Sequence, residues 1–460
     1  MTEEMNPKKL TRREMLRLTA MTGAGLLAAS CAPAAPPAAP TSAPAAQPTE
    51  APAAPTAAPA AAAIPLRLVV MDYDEKMKPD TQALVDAWNS SQGKSKVELN
   101  VYNWGDGPNK LTTEISAGQA PDLANNNSQY VGVWSSINEL IPLDSVLPEE
   151  FLAEFVPSGL QAFTIKNQLM AMPYFLDPRA MYYRKDLFEA GGLKAPETWD
   201  DVVAAGLKLH KPPDMTGYGM TFSRASDDLD YWWYAWLGAN GGDANVSLWT
   251  PEGKSRWAEP VAIEATQFLV DINLKHKFAN ADIASAGRDG ELQPLFYAGK
   301  LAMLQTGSWF PTLLKNNAPD LAYSLVTIPV KTAGMKPITG FWPDAVMMFQ
   351  QSKAKEAAAE FLQYMFNFDN RLLFAKQRGV IPERIDVGAS PEYAVSDVEK
   401  FFVEQLKTAW NVYEAPFPAT FLQTAKEAEA QILKAVLGEI SAEEAMKNAA
   451  SFADKTNGLA

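Results

Sequence analysis

Two histidines and one cysteine are all that 460 residues offer of the side chains most used in nucleophilic and metal chemistry. His210 stands beside Lys211-Pro212-Pro213, and His276 lies between Lys275 and Lys277. Both read as solvated helix ends, not as members of a charge relay. Zinc clusters and internal disulfides are excluded by count. No G-x-S-x-G elbow, Walker A loop, H-E-x-x-H or EF-hand loop occurs. Asp227, Asp228 and Asp230 could supply the carboxylate pair of a glycosidase, but carboxylates so close in sequence are more often turn or cap residues. No catalytic residue, metal or cofactor is therefore expected. The positive signal is aromatic. Gly307-Ser308-Trp309, Gly340-Phe341-Trp342-Pro343 and Asp230-Tyr231-Trp232-Trp233 put indoles in loop-like settings beside Gly, Pro or Asp. A flat indole face packs on the C–H face of a sugar ring while nearby Asp and Asn bind its hydroxyls. The alternative is that these rings fill an interface between lobes.

The lone Cys31 has another setting. Residues 1–31 read as an export signal, with a basic start (Lys8, Lys9, Arg12, Arg13, Arg17) and a weakly apolar stretch from Leu18 to Ser30, too short to span a bilayer. Thr11-Arg12-Arg13-Glu14-Met15-Leu16 resembles a twin-arginine signal. Leu27-Ala28-Ala29-Ser30-Cys31 resembles a bacterial lipobox, in which the Cys thiol accepts the lipid; Ala28 stands where a branched aliphatic is usual. Residues 32–63 hold 17 Ala and 9 Pro, a composition for an extended, coreless tether. A lipid on Cys31 followed by this spacer would hold a folded body off a membrane. The chain carries a net charge of −14, which argues against a nucleic-acid ligand.

The body, 64–460, alternates strands and helices. Leu66-Arg67-Leu68-Val69-Val70-Met71 is a mostly apolar run suited to a buried parallel strand. Pro79 opens a helix with Leu84, Ala87 and Trp88 on one face. Val97, Leu99 and Val101 alternate with polar neighbours, the period of a strand, and a helix follows over Lys110 to Ala117. This βαβα order implies a layered α/β domain. Further on, Met181 to Tyr183 is extended, and Thr198 caps a helix with Asp201 three residues later. Val261 to Lys275 is a helix with Ile263, Phe268, Leu269 and Ile272 inward. Strands are expected at Leu301–Leu304 and Tyr323–Val330, and helices at Lys353–Phe366, Val398–Trp410 and Ala419–Leu437, with Ser441 opening the last.

The order of segments resembles the extracellular solute-binding proteins of ABC importers, in the large family that includes maltose- and other sugar-binding proteins. Ser116-Ala117-Gly118-Gln119-Ala120-Pro121-Asp122-Leu123 is similar to its G-x-x-P-D-hydrophobic segment, and Pro142-Leu143-Asp144 follows as in many members. Tyr183-Arg184-Lys185-Asp186-Leu187-Phe188 with Gly191-Gly192-Leu193 resembles Y-N-K-D-L-F-x-x-x-G-L, with Arg184 in place of Asn. Pro196-Glu197-Thr198-Trp199-Asp200-Asp201 and Phe296-Tyr297-Ala298-Gly299-Lys300-Leu301-Ala302-Met303 with Gly307 and Trp309 resemble two further blocks.

The resemblance implies an α/β, two-lobe periplasmic-binding-protein-like fold, with a hinge and a ligand cleft between the lobes. The N-terminal lobe would be 64–175 plus 341–395 and the C-terminal lobe 176–340 plus 396–460. The crossings would fall near Phe175-Leu176, Thr339-Gly340 and Tyr393 to Ser396. It implies hinge closure on a solute and delivery to ABC permease subunits, from a lipid-anchored position on the outer face of the cytoplasmic membrane or in the periplasm, as a monomer. Ligand contacts carried over are Tyr73, Asp74, Asn126, Asn127, Asp177, Trp309 and Trp342, with Trp232 or Trp233 as a lower-lobe platform; Asp122, Asp144 and Asp186 match motifs as structural residues. The solute implied is a carbohydrate, an oligosaccharide first. A glycerol phosphodiester, with Arg179 and Arg224 as candidate partners, remains open, as does a polyol or a polyamine, with Asp177, Asp228 and Asp344. A secreted polysaccharide-degrading enzyme is the remaining alternative.

Overall fold

The computed structural model describes residues 62–72, 75–223, 229, 232–241, 248–250, 252–336, 339–393, 396–406, 409–411 and 420–459. The signal, Cys31, nearly all of the tether, Tyr73, Asp74, Arg224, Asp227, Asp228 and Asp230 lie outside the described residues.

The first sheet grows from the apolar strand foreseen near the start of the body. β1 (Ile64–Asp72) buries Val69, Val70 and Met71 completely, because helices cover both faces of a parallel sheet. α1 (Met77–Ser91) leads to β2 (Ser95–Asn103) on one side of β1. α2 (Gly107–Ser116) then carries the chain back to β3 (Leu123–Asn127) on the other side, where α3 (Ser128–Ser136) begins. The sheet is completed by β4 (Met172–Phe175) and, much later, β10 (Asp344–Met348), in the order β2-β1-β3-β10-β4. β10 runs antiparallel to both of its neighbours.

The second sheet is separate. It comprises β5 (Ala180–Arg184), β6 (Thr216–Gly219), β7 (Leu301–Thr306) and β8 (Tyr323–Val326), in the order β8-β5-β7-β6. Its helices include α4 (Trp199–Leu209), α5 (Trp233–Gly241) and α6 (Pro260–Val270). α4 begins where Thr198 and Asp201 exchange a reciprocal capping box: Asp201 N–H donates to Thr198 Oγ1 at 3.2 Å and Thr198 N–H to the Asp201 carboxylate at 2.9 Å. The chain leaves the first sheet at Phe175 and enters the second at Ala180. It returns through β9 (Thr339–Phe341), which pairs in parallel with β11 (Ala409–Asn411), before β10.

α7 (Lys355–Met365) and α8 (Phe368–Arg378) belong with the first sheet, while α9 (Phe421–Val436) and α10 (Ala442–Thr456) pack on each other and on α6 of the second. Among the described residues, no helix is long and apolar enough to cross a membrane.

Three local expectations are corrected. Ala87 is exposed: α1 buries Met77, Thr81 and Val85, spaced four apart, and Leu84 and Trp88 only flank that stripe. Trp410 is not helical but sits in β11, because pairing with β9, distant in sequence, overrides the local helical pattern. The strand starting at Tyr323 ends at Val326, four residues sooner than its apolar run.

Candidate functional site

β1 lies between β2 and β3, so the chain turns one way after β1 and the other way after β2. In open α/β sheets the crevice at such a switch point, outside the carboxyl ends of the strands, is where ligands bind. Here the crevice is visible in the register. β1 and β3 pair at Leu68–Leu123 and Val69–Ala124 and then part. Asn125 substitutes for the missing ladder bond, its Oδ1 accepting Met71 N–H at 2.6 Å.

Beyond that point the edge is polar and mostly buried. Asn126 is 0% exposed; its Oδ1 accepts Asn127 N–H at 2.9 Å, while Nδ2 has no hydrogen-bond partner among the described residues. Asn127 Oδ1, Ser128 Oγ and Asp72 Oδ1 are buried and likewise without a partner. On the far side of β3, Asp344 of β10 is in register with Asn127. Folding tolerates such groups only at a cost of about 1–3 kcal/mol each, so their cluster at a switch point leaves donors and acceptors that a polar ligand could pair with. Because Asn126 sits within β3 and Ser128 opens α3, both are held by regular structure.

A second group gathers where the chain crosses between sheets. Arg179 N–H donates to Gly340 O at 3.1 Å, and Trp342 N–H to Asp177 O at 3.2 Å, tying the two crossings together. Asp177, 5% exposed, accepts Ser308 N–H at 3.0 Å through Oδ1 and pairs with the Arg179 guanidinium through Oδ2. That guanidinium lies over the Trp342 ring, 4.8 Å from its centroid. Tyr182 Oη donates to Gly307 O at 2.7 Å. Burial, with Tyr323 and Asp177 nearby, pushes this phenol well above its ordinary pKa, so it stays a neutral donor. Gly307 leaves no room for a side chain: a Cβ there would meet Asp177 Oδ1 at 2.5 Å and Trp309 Nε1 at 2.6 Å.

The sequence-derived residues divide accordingly. Asn126 and Asn127 stand at the crevice. Asp177 and Trp342 stand at the crossings, Trp342 only 3% exposed and its Nε1 without a partner among the described residues. Trp309 is partly exposed, edge-on to Phe310. Trp233 is accounted for by packing: it is 0% exposed, donates Nε1–H to Thr266 Oγ1 at 2.9 Å and meets Trp257 edge-on. Trp232, also 0% exposed, packs edge-on against Tyr218. Asp122 and Asp186 are structural. Asp122 Oδ2 accepts Arg67 N–H at 2.7 Å, and Arg184 beside Asp186 lowers that carboxyl below its usual value. His210 is no relay member; its Nδ1 accepts Gly217 N–H at 3.2 Å at the end of α4, and burial lowers its pKa. Among the described residues no group of His, Cys, Asp and Glu could hold a metal.

A small cavity opens between α3, α5 and α9, lined among others by Gln129, Tyr234, Phe421 and Glu429. Gln129 and Glu429 are 2% and 4% exposed. Sequence reasoning missed Asp72, Ser128, Gln129, Tyr234 and Glu429. The run Asn125 to Gln129, polar at the end of an apolar strand, was a signal for two of them. Glu429 had none, being one acidic residue on an amphipathic helix.

The family comparison falls on this same architecture. A model of the bacterial extracellular solute-binding protein family matches residues 74–370. The chain belongs to that family. A Brucella abortus (strain 2308) protein named as a binding protein is 28% identical over 319 residues, 69% of this chain and 75% of that one. Among solved structures, an ABC transporter solute-binding protein from Thermotoga lettingae TMO, bound with alpha-D-tagatose, superposes with TM-score 0.76 at 24% identity, over 85% of this chain and 99% of that one. Maltose-bound T. maritima MalE3 gives 0.74 at 22% identity, over 86% of this chain and all of the other. At these identities the likeness establishes the fold: two-lobe, α/β, of the solute-binding type.

Proposed function

We propose that this chain is the receptor of an ABC-type importer and that its solute is a carbohydrate, held between two lobes that close on it. The observation that carries the reading is the set of orphaned atoms at the switch-point crevice: an amide donor on Asn126, an amide acceptor on Asn127, a hydroxyl on Ser128 and a carboxylate oxygen on Asp72. A sugar hydroxyl both donates and accepts, so a ring bearing several of them matches a mixed set better than a pure anion or cation would. Indoles near the crossings supply the apolar half of such recognition. The tagatose and maltose bound in the two structural relatives support the same class. A phosphate-bearing solute is less well served, because Arg179 is engaged with Asp177 and Trp342.

The lobes we propose are 64–175 with 341–395, and 176–340 with 396–460, and the contacts are those at the crevice together with Tyr73, Asp74, Trp232, Trp309 and Trp342. Export through the twin-arginine signal, lipidation at Cys31, a monomeric state and capture beside a permease complete the reading, all resting on the N-terminal sequence and the family. No bond in the solute is broken. A thermal-shift panel of sugars, polyols, glycerol phosphates and polyamines tests it. A ligand that binds only the native state at about 100 times its Kd raises stability by about 2.7 kcal/mol. An upward shift with one class of sugar is expected. A shift from a phosphate or an amine alone overturns the substrate class, and release of reducing sugar from a polysaccharide overturns the receptor reading.

A further inference from the structure

Asp177 fits poorly as a direct contact to a solute, since both of its oxygens are already used inside the protein. We infer that the Asp177–Arg179 pair is instead a positioning element that sets the two site indoles, Trp342 and Trp309, from the hinge; the inference rests on the receptor reading above.

Asp177 and Arg179 are two residues apart on the crossing between the sheets, and their side chains pair there. From there each reaches a different partner. Arg179 spreads its guanidinium over the Trp342 ring at 4.8 Å, and the backbone bonds from Arg179 to Gly340 and from Trp342 to Asp177 hold the two crossings as one ribbon. Asp177 reaches the second sheet's loop, where Oδ1 accepts both the N–H of Ser308 at 3.0 Å and its hydroxyl at 3.3 Å. That loop carries Trp309, whose Nε1 approaches Asp177 Oδ1 across the space a side chain on Gly307 would fill. The bare Gly307 is thus what lets carboxylate, guanidinium and indole converge.

One ion pair, 3% and 7% exposed at its two side chains, therefore touches the ring on one crossing and the loop that bears the other ring. A planar guanidinium can stack on an indole and bind a carboxylate at once; an ammonium cannot do both in the same geometry. A ring held in its bound orientation before the solute arrives loses less freedom on binding, so the pair contributes to affinity without touching the solute.

The test uses the full chain labelled with 5-fluorotryptophan, each site ring's 19F resonance being assigned by Trp309→Phe and Trp342→Phe. Arg179→Lys and Asp177→Asn are compared with the parent, without ligand and then in titrations with the sugars of the panel. The expected result is displacement of the Trp342 resonance by Arg179→Lys and of the Trp309 resonance by Asp177→Asn. The resonances of the core indoles, such as Trp134, stay in place, and Kd for the bound sugar rises about tenfold, equivalent to about 1.4 kcal/mol. Unmoved site resonances overturn the inference, and so do moved resonances with unchanged Kd. If one variant does not fold, the other decides, since each reports its own ring. If the parent binds no sugar, the carbohydrate reading fails, while the ligand-free resonances still decide whether the pair sets the rings.

Discussion

Replacing Arg371 by Met should destabilise the protein steeply, and by an amount that depends on pH. Arg371 and Glu383 are 2% and 1% exposed at their side chains. Nε donates to Glu383 Oε1 at 2.6 Å and Nη2 to Oε2 at 3.1 Å, and Nη2 also donates to Tyr174 O at the start of the passage to the second sheet. Phe374, Tyr174 and Phe366 surround the guanidinium at 4.2, 4.8 and 4.9 Å. Met fills much of the volume but strands a buried carboxylate, which costs on the order of 3–5 kcal/mol.

Burial raises the Glu383 carboxyl above its ordinary pKa, with Arg371 the main force opposing the rise. Without Arg371 the carboxyl rises further. A raised native pKa means the folded state holds its proton to higher pH than the unfolded chain does. The parent's carboxyl is raised as well, so the unfolded value cancels from the difference; the variant's deficit is smallest below the parent's native value and grows as pH climbs from there to the variant's higher one. Urea denaturation at pH 5 and pH 8 measures this; the loss should be larger at pH 8. Arg371→Met/Glu383→Met, with no charge left to bury, should recover most of the stability. A double variant as unstable as the single one, or a deficit independent of pH, would refute the reasoning.

Ser128→Ala separates binding from folding. Its hydroxyl is buried and without a partner among the described residues, so removing it should leave ligand-free stability unchanged or raised by up to about 1 kcal/mol while weakening solute binding, read by melting and titration calorimetry. Gly206→Ala should destabilise by about 1–3 kcal/mol through overpacking, because the new methyl would lie 2.5 Å from the Phe278 ring; urea denaturation reads it and affinity should not change. Thr198→Ala should cost about 1 kcal/mol by opening the capping box of α4, again without effect on affinity.

Much of the fold was legible because its signals are local. The buried run of β1, the alternation of β2 and the capping pair Thr198–Asp201 each carry their meaning within a few residues. So does the start of α10, where Ser441 Oγ accepts Glu444 N–H at 3.1 Å. For the candidate site, Asn126 and Asn127 came from the family resemblance, as part of a loop after Pro121-Asp122, and the loop indoles from their company of Gly and Pro; the structure sets both Asn at the end of β3 instead of in a loop. Trp233 shows the limit: the same Gly- and Asp-flanked pattern describes Trp309, which is partly exposed, and Trp233, which is fully buried, and only packing against Thr266 and Trp257 separates them. Asp177 shows it again, since no spacing says that Ser308, 131 residues away, will occupy its oxygen.

By itself the sequence determined the class of the molecule: an acidic α/β chain whose His and Cys content excludes Cys/His zinc clusters and internal disulfides, with a body of solute-binding type, ahead of which we propose an export signal and a tether. Those properties are sums over composition or patterns a few residues long. Tertiary structure decided which strands border the switch-point crevice, which polar atoms there are left without partners, and which tryptophans are spent on the core. These depend on contacts between segments far apart in the chain, such as β3 with β10 and Asp177 with Ser308. Solvent exclusion and hydrogen-bond pairing at such contacts arise only once the segments have met.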